Sequence, residues 1–194
     1  MDSDSTGGAR GVPPEERLNA FALVIYIPGA LGAFLDDLRR ELVPHYNPHA
    51  HVSVLPPRPL TVAWQKASEQ VRAFTGGWAP FAIELKHIEV FPVTDVIYIG
   101  IGSGARELRS MHAATNTGAL AFEEPFSYYP HITLAQEIPH EDAAATYELA
   151  RRRWSEFKGQ RVVRAERVAL VQNTMNGCWI DLAEYALRAV AAEP

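Results

Sequence analysis

Pro48 to Leu55, PHAHVSVL, and Tyr129 to Ala135, YPHITLA, carry one device twice: a histidine, an apolar residue, a hydroxyl residue and a second apolar residue. In an extended strand, successive side chains alternate between faces. His51 and Ser53 therefore share one face, with Val52 and Val54 on the other; His131 and Thr133 are divided from Ile132 and Leu134 in the same way. The apolar pairs predict a buried face and the polar pairs an open one. By strand rise, an imidazole and a hydroxyl two residues apart sit about 6.5 Å apart at Cα, which lets both touch one phosphate.

Outward from the first motif, the apolar run Ala20 to Ile27 closes on Pro28-Gly29 and predicts a buried strand and a turn. Leu31, Phe34, Leu35, Leu38 and Leu42 recur at helical spacing up to Pro44. Pro56-Pro57 ends the motif strand, and a helix follows near Ala63 to Phe74. Phe81 to Phe91 and Val96 to Ile101 predict two strands joined through Pro92 and Thr94-Asp95.

The second half repeats this order. A helix is expected over Ala105 to Leu120, the second motif strand over Tyr129 to Ala135 and a helix over Asp142 to Phe157. Strands Arg161 to Gln172 and Cys178 to Leu182 then close on the turn Asn176-Gly177. The stripe Trp64, Ala67, Val71, Phe74 has the same spacing as Tyr147, Ala150, Trp154, Phe157. His51 precedes Phe81 by 30 residues, and His131 precedes Arg161 by 30. The economical reading is one bilobal domain over residues 18–194, with lobes of 18–102 and 103–194 meeting near Gly102-Ser103-Gly104 and a disordered tail over residues 1–17. A pseudo-two-fold packing of such lobes points both histidine and hydroxyl pairs into one central groove.

Breaking a phosphodiester needs a base for the attacking oxygen and an acid for the departing one. Two imidazoles with ordinary pKa values near 6.5 supply both around neutral pH. On that scheme His51 and His131 are catalytic, and Ser53 and Thr133 hold the non-bridging oxygens where charge accumulates. No metal and no cofactor is required.

The paired motifs resemble the two signature motifs of the 2H phosphoesterase superfamily, which includes LigT-like 2′-5′ RNA ligases and cyclic phosphodiesterases. The likeness spans about Ala20 to Leu187. It implies a bilobal α+β fold in which two antiparallel sheets flank a central cleft with helices outside. It also implies catalysis or phosphate contact by His51, Ser53, His131 and Thr133, and action on 2′,3′-cyclic or 2′-5′-linked phosphates of nucleotides or RNA ends. Ser53 stands where many members have threonine, an exchange that keeps the hydroxyl and loses a methyl.

Other residues are candidates with competing structural roles. Tyr129 shares parity with His131 and is placed to line the same face or stack on a base, with plain packing as the alternative. Tyr26, Tyr98, Trp179 and His49 are cleft candidates against a core or rim role, and Arg58 and Lys86 are weaker phosphate-contact candidates. His45, His49 and His51 also spell a metal-site alternative, but no Asp, Glu or Cys adjoins them. A histidine cluster there tunes His51 by nearby charge instead. Arg151, Arg152, Arg153, Arg161, Arg164 and Arg167 make the second half locally basic, and a solvated face is the simpler reading.

Composition narrows the partners. The formal charge of -5 gives no broad attraction for duplex DNA, long RNA or an anionic membrane, so a small phosphorylated nucleotide or an RNA terminus is the expected ligand. The lone Cys178 excludes an intramolecular disulfide and suits a reducing compartment, with the cytoplasm as the default. No apolar run reaches the roughly 18 residues of a membrane span. Two readings stay open beside hydrolysis: binding of RNA ends or phosphorylated metabolites without chemistry, and 2′-5′ RNA ligation. Oligomeric state is not specified.

Overall fold

Alternation in the motif strands is the feature around which the fold is organised. In the computed structural model, which describes residues 12–44 and 49–188, Val52, Val54, Ile132 and Leu134 are all at 0% exposure. Their neighbours His51, Ser53, His131 and Thr133 stay half-buried. Each buried aliphatic side chain contributes about 1.5–3 kcal/mol. A register slip of one residue would drive both histidines into the core, so packing sets which face they occupy.

The described chain runs β1 (Arg17–Tyr26), α1 (Gly29–Leu42), β2 (His51–Arg58), α2 (Trp64–Thr75), β3 (Phe81–Val90), β4 (Ile97–Ile101), α3 (Ala105–Thr115), β5 (His131–Ala135), α4 (His140–Glu156), β6 (Val162–Ala165), β7 (Arg167–Thr174) and β8 (Trp179–Ala186). The strands form two four-stranded antiparallel sheets, ordered β2-β1-β7-β8 and β5-β4-β3-β6. This is the α+β architecture of two antiparallel sheets that the resemblance implies.

The sheets do not follow the halves of the sequence. β3 and β4 leave the sheet of β2 for that of β5, while β7 and β8 join the sheet of β2. Each sheet thus takes two strands from each half, and a cut near Gly102 divides the chain but not the sheets. β2 and β5 are equivalent edge strands, and they lie against each other. Edge position and a register shift together explain how Pro56 and Pro57, expected to end β2, lie inside it: successive N–H groups point to opposite sides, so one proline faces the open edge and the other falls where the ladder with β1 is interrupted.

One main core joins the sheets. It takes Leu23 and Ile25 from β1, Leu35 and Leu38 from α1, Ala67 and Val71 from α2, and Ala150 and Trp154 from α4. The helical stripes expected from spacing are the stripes that face it. A smaller apolar cluster, Ala22, Val24, Ala169 and Val171, lies apart from it on β1 and β7, with Tyr26 and Trp179 packed against it. No helix among the described residues is long and apolar enough to cross a membrane.

Besides shifts of one to four residues at other element ends, three differences from expectation have an identifiable course. The run Arg161 to Gln172 is two strands: β6 pairs with β3 and β7 pairs with β1, the change of sheet occurring at Glu166. α3 ends at Thr115 rather than Leu120, because the Asn116 side chain organises the loop, accepting from Phe122 N–H at 2.9 Å and donating to Phe122 O at 3.1 Å. Of the expected tail, residues 1–11 lie outside the described residues. Pro14–Glu16 form a helical turn, and Arg17 already belongs to β1, its guanidinium donating to Val12 O at 3.1 and 2.8 Å.

Candidate active site

α1 sets the start of β2. The Asp36 carboxylate accepts Ala50 N–H at 2.6 Å, and the buried Arg39 guanidinium donates to His49 O at 2.7 Å. β1 completes the clamp through Ile27 N–H on Ala50 O at 2.9 Å. His51 and Ser53 then stand opposite Tyr26 and Val24 in the register of β1. In the other sheet His131 and Thr133 stand opposite Gly100 and Tyr98 of β4.

The imidazoles are held identically. His51 Nδ1 lies 2.7 Å from His49 O, and His131 Nδ1 lies 2.6 Å from Tyr129 O. A carbonyl can only accept, so each Nδ1 carries the proton and each neutral ring keeps its lone pair on Nε2. Two residues that share no sheet thus present the same tautomer.

Burial lowers the proton affinity of both rings. His51 is pushed down to about 4, first by desolvation and further by the charges of Arg39, His131 and His49, against the opposing pull of the His49 carbonyl. Desolvation lowers His131 as well, against the pull of Tyr129 O.

Cross-braces hold the two motifs together. Tyr128 Oη donates to Ser53 O at 2.7 Å, and its ring stacks on His112 at 4.0 Å and 3°. His112 in turn donates Nδ1–H to Val54 O at 2.9 Å from α3.

Aromatic rings pack around both histidines. Tyr26 meets His51 and His49 edge-on at 6.4 and 5.8 Å and donates its hydroxyl to Asp181 at 2.5 Å. Tyr98 and Phe91 meet His131 edge-on at 5.4 and 5.1 Å, and Tyr98 Oη donates to Glu89 at 2.8 Å. Burial and these carboxylates hold both phenols protonated. Tyr129, 40% exposed, sits edge-on to Phe91 and Tyr98, each at 5.9 Å.

Of the remaining candidates, Arg58 does not line the cleft. It is 2% exposed and donates to Pro56 O at 3.0 Å, Asn116 Oδ1 at 2.8 Å and Leu120 O at 3.0 Å, besides pairing with Glu124. It shares the parity of Val52 and Val54 and faces the interior with them, which the expected end of the strand at Pro56-Pro57 concealed. Lys86 pairs with Glu84 at 2.8 Å. Arg161 caps α4 by donating to Trp154 O at 2.7 Å, while Arg151, Arg153, Arg164 and Arg167 each pair with a glutamate. Trp179 packs on the small apolar cluster. His45 lies outside the described residues, and no group of three or more His, Cys, Asp or Glu with metal-binding spacing occurs among those described. Cys178 is exposed and unbridged.

Sequence reading missed Arg39, Asp36, Tyr128, His112, Phe91 and Glu89. Most of them act through contacts with distant strands and leave no local signal, while Glu89 bonds Tyr98, its partner across the β3–β4 hairpin. Only the placement of Leu35 and Leu38 on the buried stripe hinted that Asp36 and Arg39 flank a packed face.

The arrangement has relatives. A provisionally named phosphoesterase of Geobacillus kaustophilus is 21% identical over 169 residues, covering 82% of this chain and 91% of that protein. Escherichia coli LigT complexed with NADP+ matches in fold with a TM-score of 0.61 at 16% identity, over 89% of this chain and 99% of LigT. LigT complexed with phosphate matches with a TM-score of 0.58 at 15% identity, over the same shares. The family model of the 2′-5′ RNA ligase superfamily matches residues 27–176, which include both histidine strands, and the chain belongs to that superfamily.

Proposed function

We propose that the protein is a metal-independent phosphodiesterase that hydrolyses 2′,3′-cyclic or related cyclic and 2′-5′ phosphodiesters of nucleotides or RNA ends. His51 and His131 form the acid–base pair, and Ser53 and Thr133 donate hydroxyls to the non-bridging oxygens. The observation that carries this reading is the matched hold on the two rings, each with Nδ1–H on the carbonyl two residues earlier. Such a hold leaves two Nε2 atoms for proton transfer, on edge strands that lie against each other.

The lowered proton affinities support the scheme. At neutral pH both rings are neutral without a ligand, and a phosphodiester monoanion raises the affinity of the ring beside it and recruits one proton. The neutral ring then takes a proton from water as its oxygen bonds to phosphorus. The protonated ring delivers its proton to the departing ribose oxygen as that P–O bond breaks. The product is a phosphomonoester with one new hydroxyl, and the rings exchange their protons with solvent. That a protein of the same fold has been crystallised with NADP+ and with phosphate supports a small phosphorylated ligand.

The test is incubation with 2′,3′-cyclic AMP, GMP, CMP and UMP and with 2′-5′-linked ApA in excess EDTA, with products resolved by chromatography. Turnover that is lost in His51→Ala and His131→Ala is the expected result. Absence of turnover across the panel, with binding retained, would overturn the proposal in favour of a binding protein.

A further inference from the structure

A buried cation stands behind one histidine. Arg39, on the third turn of α1, is 3% exposed. Its Nη1 donates at 2.7 Å to His49 O, the carbonyl that also receives His51 Nδ1–H at 2.7 Å. That oxygen therefore has two donors, one of them charged. At the second motif, Tyr129 O receives His131 Nδ1–H at 2.6 Å, and no guanidinium of the described residues donates to that carbonyl. Arg109 stands over the Tyr129 ring at 5.9 Å, on the side chain rather than the carbonyl. The two halves match in their histidines and differ in this cation.

We propose that Arg39 is a positioning residue that divides the labour of the two imidazoles, reserving His51 as the base and leaving His131 to carry the proton as the acid. The inference rests on the two-histidine reading above. Two effects act in one direction. The guanidinium opposes a second positive charge on His51. Its hydrogen bond also draws electron density from His49 O, which weakens that carbonyl's support of Nδ1–H and makes Nε2 less basic. A proton drawn in by an anionic substrate therefore settles on His131, the ring without the cation behind it.

The other groups facing the rings do not reverse this order. His131 and His49 oppose charge on His51 as Arg39 does. Tyr26 faces His51 with its hydroxyl given to Asp181, and Asp36 uses its carboxylate on Ala50 N–H. His131 is faced by Phe91 and Tyr98, whose hydroxyl goes to Glu89.

The test is an NMR titration of both imidazoles in the ligand-free protein, with His51→Ala and His131→Ala used for assignment, alongside the pH dependence of kcat/KM. In the wild type, His51 should titrate below His131, both rings as Nδ1–H tautomers when neutral. In Arg39→Met the His51 midpoint should rise by about half to one pH unit. The acid limb of kcat/KM should move with it while the alkaline limb stays, and Arg39→Lys should restore most of the shift. A wild type in which His131 titrates first overturns the proposal. So does a folded Arg39→Met with an unmoved His51 midpoint, even if kcat falls, because that outcome is a structural role alone. Should Arg39→Met fail to fold, the wild-type order decides. The titration needs no turnover, so failure of the phosphodiesterase reading and failure of this one are separable.

Discussion

Tyr128 Oη donates a 2.7 Å hydrogen bond to the backbone carbonyl of Ser53, tying the approach to the second histidine strand to the hydroxyl position of the first. The bond joins positions 75 residues apart, across two sheets that share no ladder. Relative placement of the motifs thus depends on a residue outside both. Tyr128→Phe keeps the ring that stacks on His112 and removes only the hydroxyl. The expected result is a loss of about 1 kcal/mol in denaturant unfolding. A several-fold drop in kcat with little change in KM should accompany it, since misplacement of reacting groups raises the barrier.

His51→Ala and His131→Ala should each lower kcat by about 10²–10⁴-fold. Neither should unfold the protein, because both rings lie on the open face of their strands, away from Val52, Val54, Ile132 and Leu134. Ser53→Ala and Thr133→Val should lower kcat by about 10²-fold or more if their hydroxyls meet charge developing in the transition state. Steady-state kinetics in EDTA on a 2′,3′-cyclic nucleotide checks all four. Unchanged kcat in either histidine variant would remove that ring from the mechanism.

Stability should fall on mild acidification. His51 binds its proton near pH 4 when folded and near 6.5 when unfolded. Between those values the unfolded chain holds more protons, so stability rises with pH there. The contribution is complete above about pH 6.5 and is lost progressively as pH falls through about 4. Urea midpoints measured from pH 7 to 4 should decline, and less steeply in His51→Gln, which cannot titrate. An equal slope in that variant would contradict the depressed proton affinity.

Arg58 separates a structural cation from a phosphate-binding one. Truncating one partner of a buried ion pair leaves the other charge uncompensated and costs about 3–5 kcal/mol. Arg58→Met should therefore destabilise strongly and leave KM of the folded protein nearly unchanged, while Arg58→Met combined with Glu124→Gln recovers part of the loss. Thermal unfolding with kinetics on the folded fraction checks this. A large rise in KM without loss of stability would put Arg58 in contact with substrate.

The motif strands, helical stripes and fold class were legible because strand parity and helical periodicity are local properties of the chain. Val52 and Val54 had to face inward if His51 and Ser53 faced outward. Strand partners were less legible. Nothing in Arg161 to Gln172 marks Glu166 as the point where the chain changes sheets, since Ala165 and Val168 are apolar residues buried on either side of it. Arg58 has the parity of Val52 and Val54, but its interior course follows only if the strand runs on through Pro56 and Pro57, and its partners Asn116, Leu120 and Glu124 lie about 60 residues away.

From sequence alone come two histidine and hydroxyl pairs on the polar faces of two strands, the absence of a disulfide framework, and membership of a family signalled by those paired motifs. Tertiary structure alone decided that the halves exchange strands, that β2 and β5 are edge strands lying against each other, and that a carbonyl locks each imidazole in one tautomer. It also decided that the buried Arg39 guanidinium donates to the same carbonyl that holds His51. The physical reason is range: side-chain alternation is set by covalent geometry within a few residues, whereas strand pairing and desolvation depend on which distant segments the collapsed core brings together.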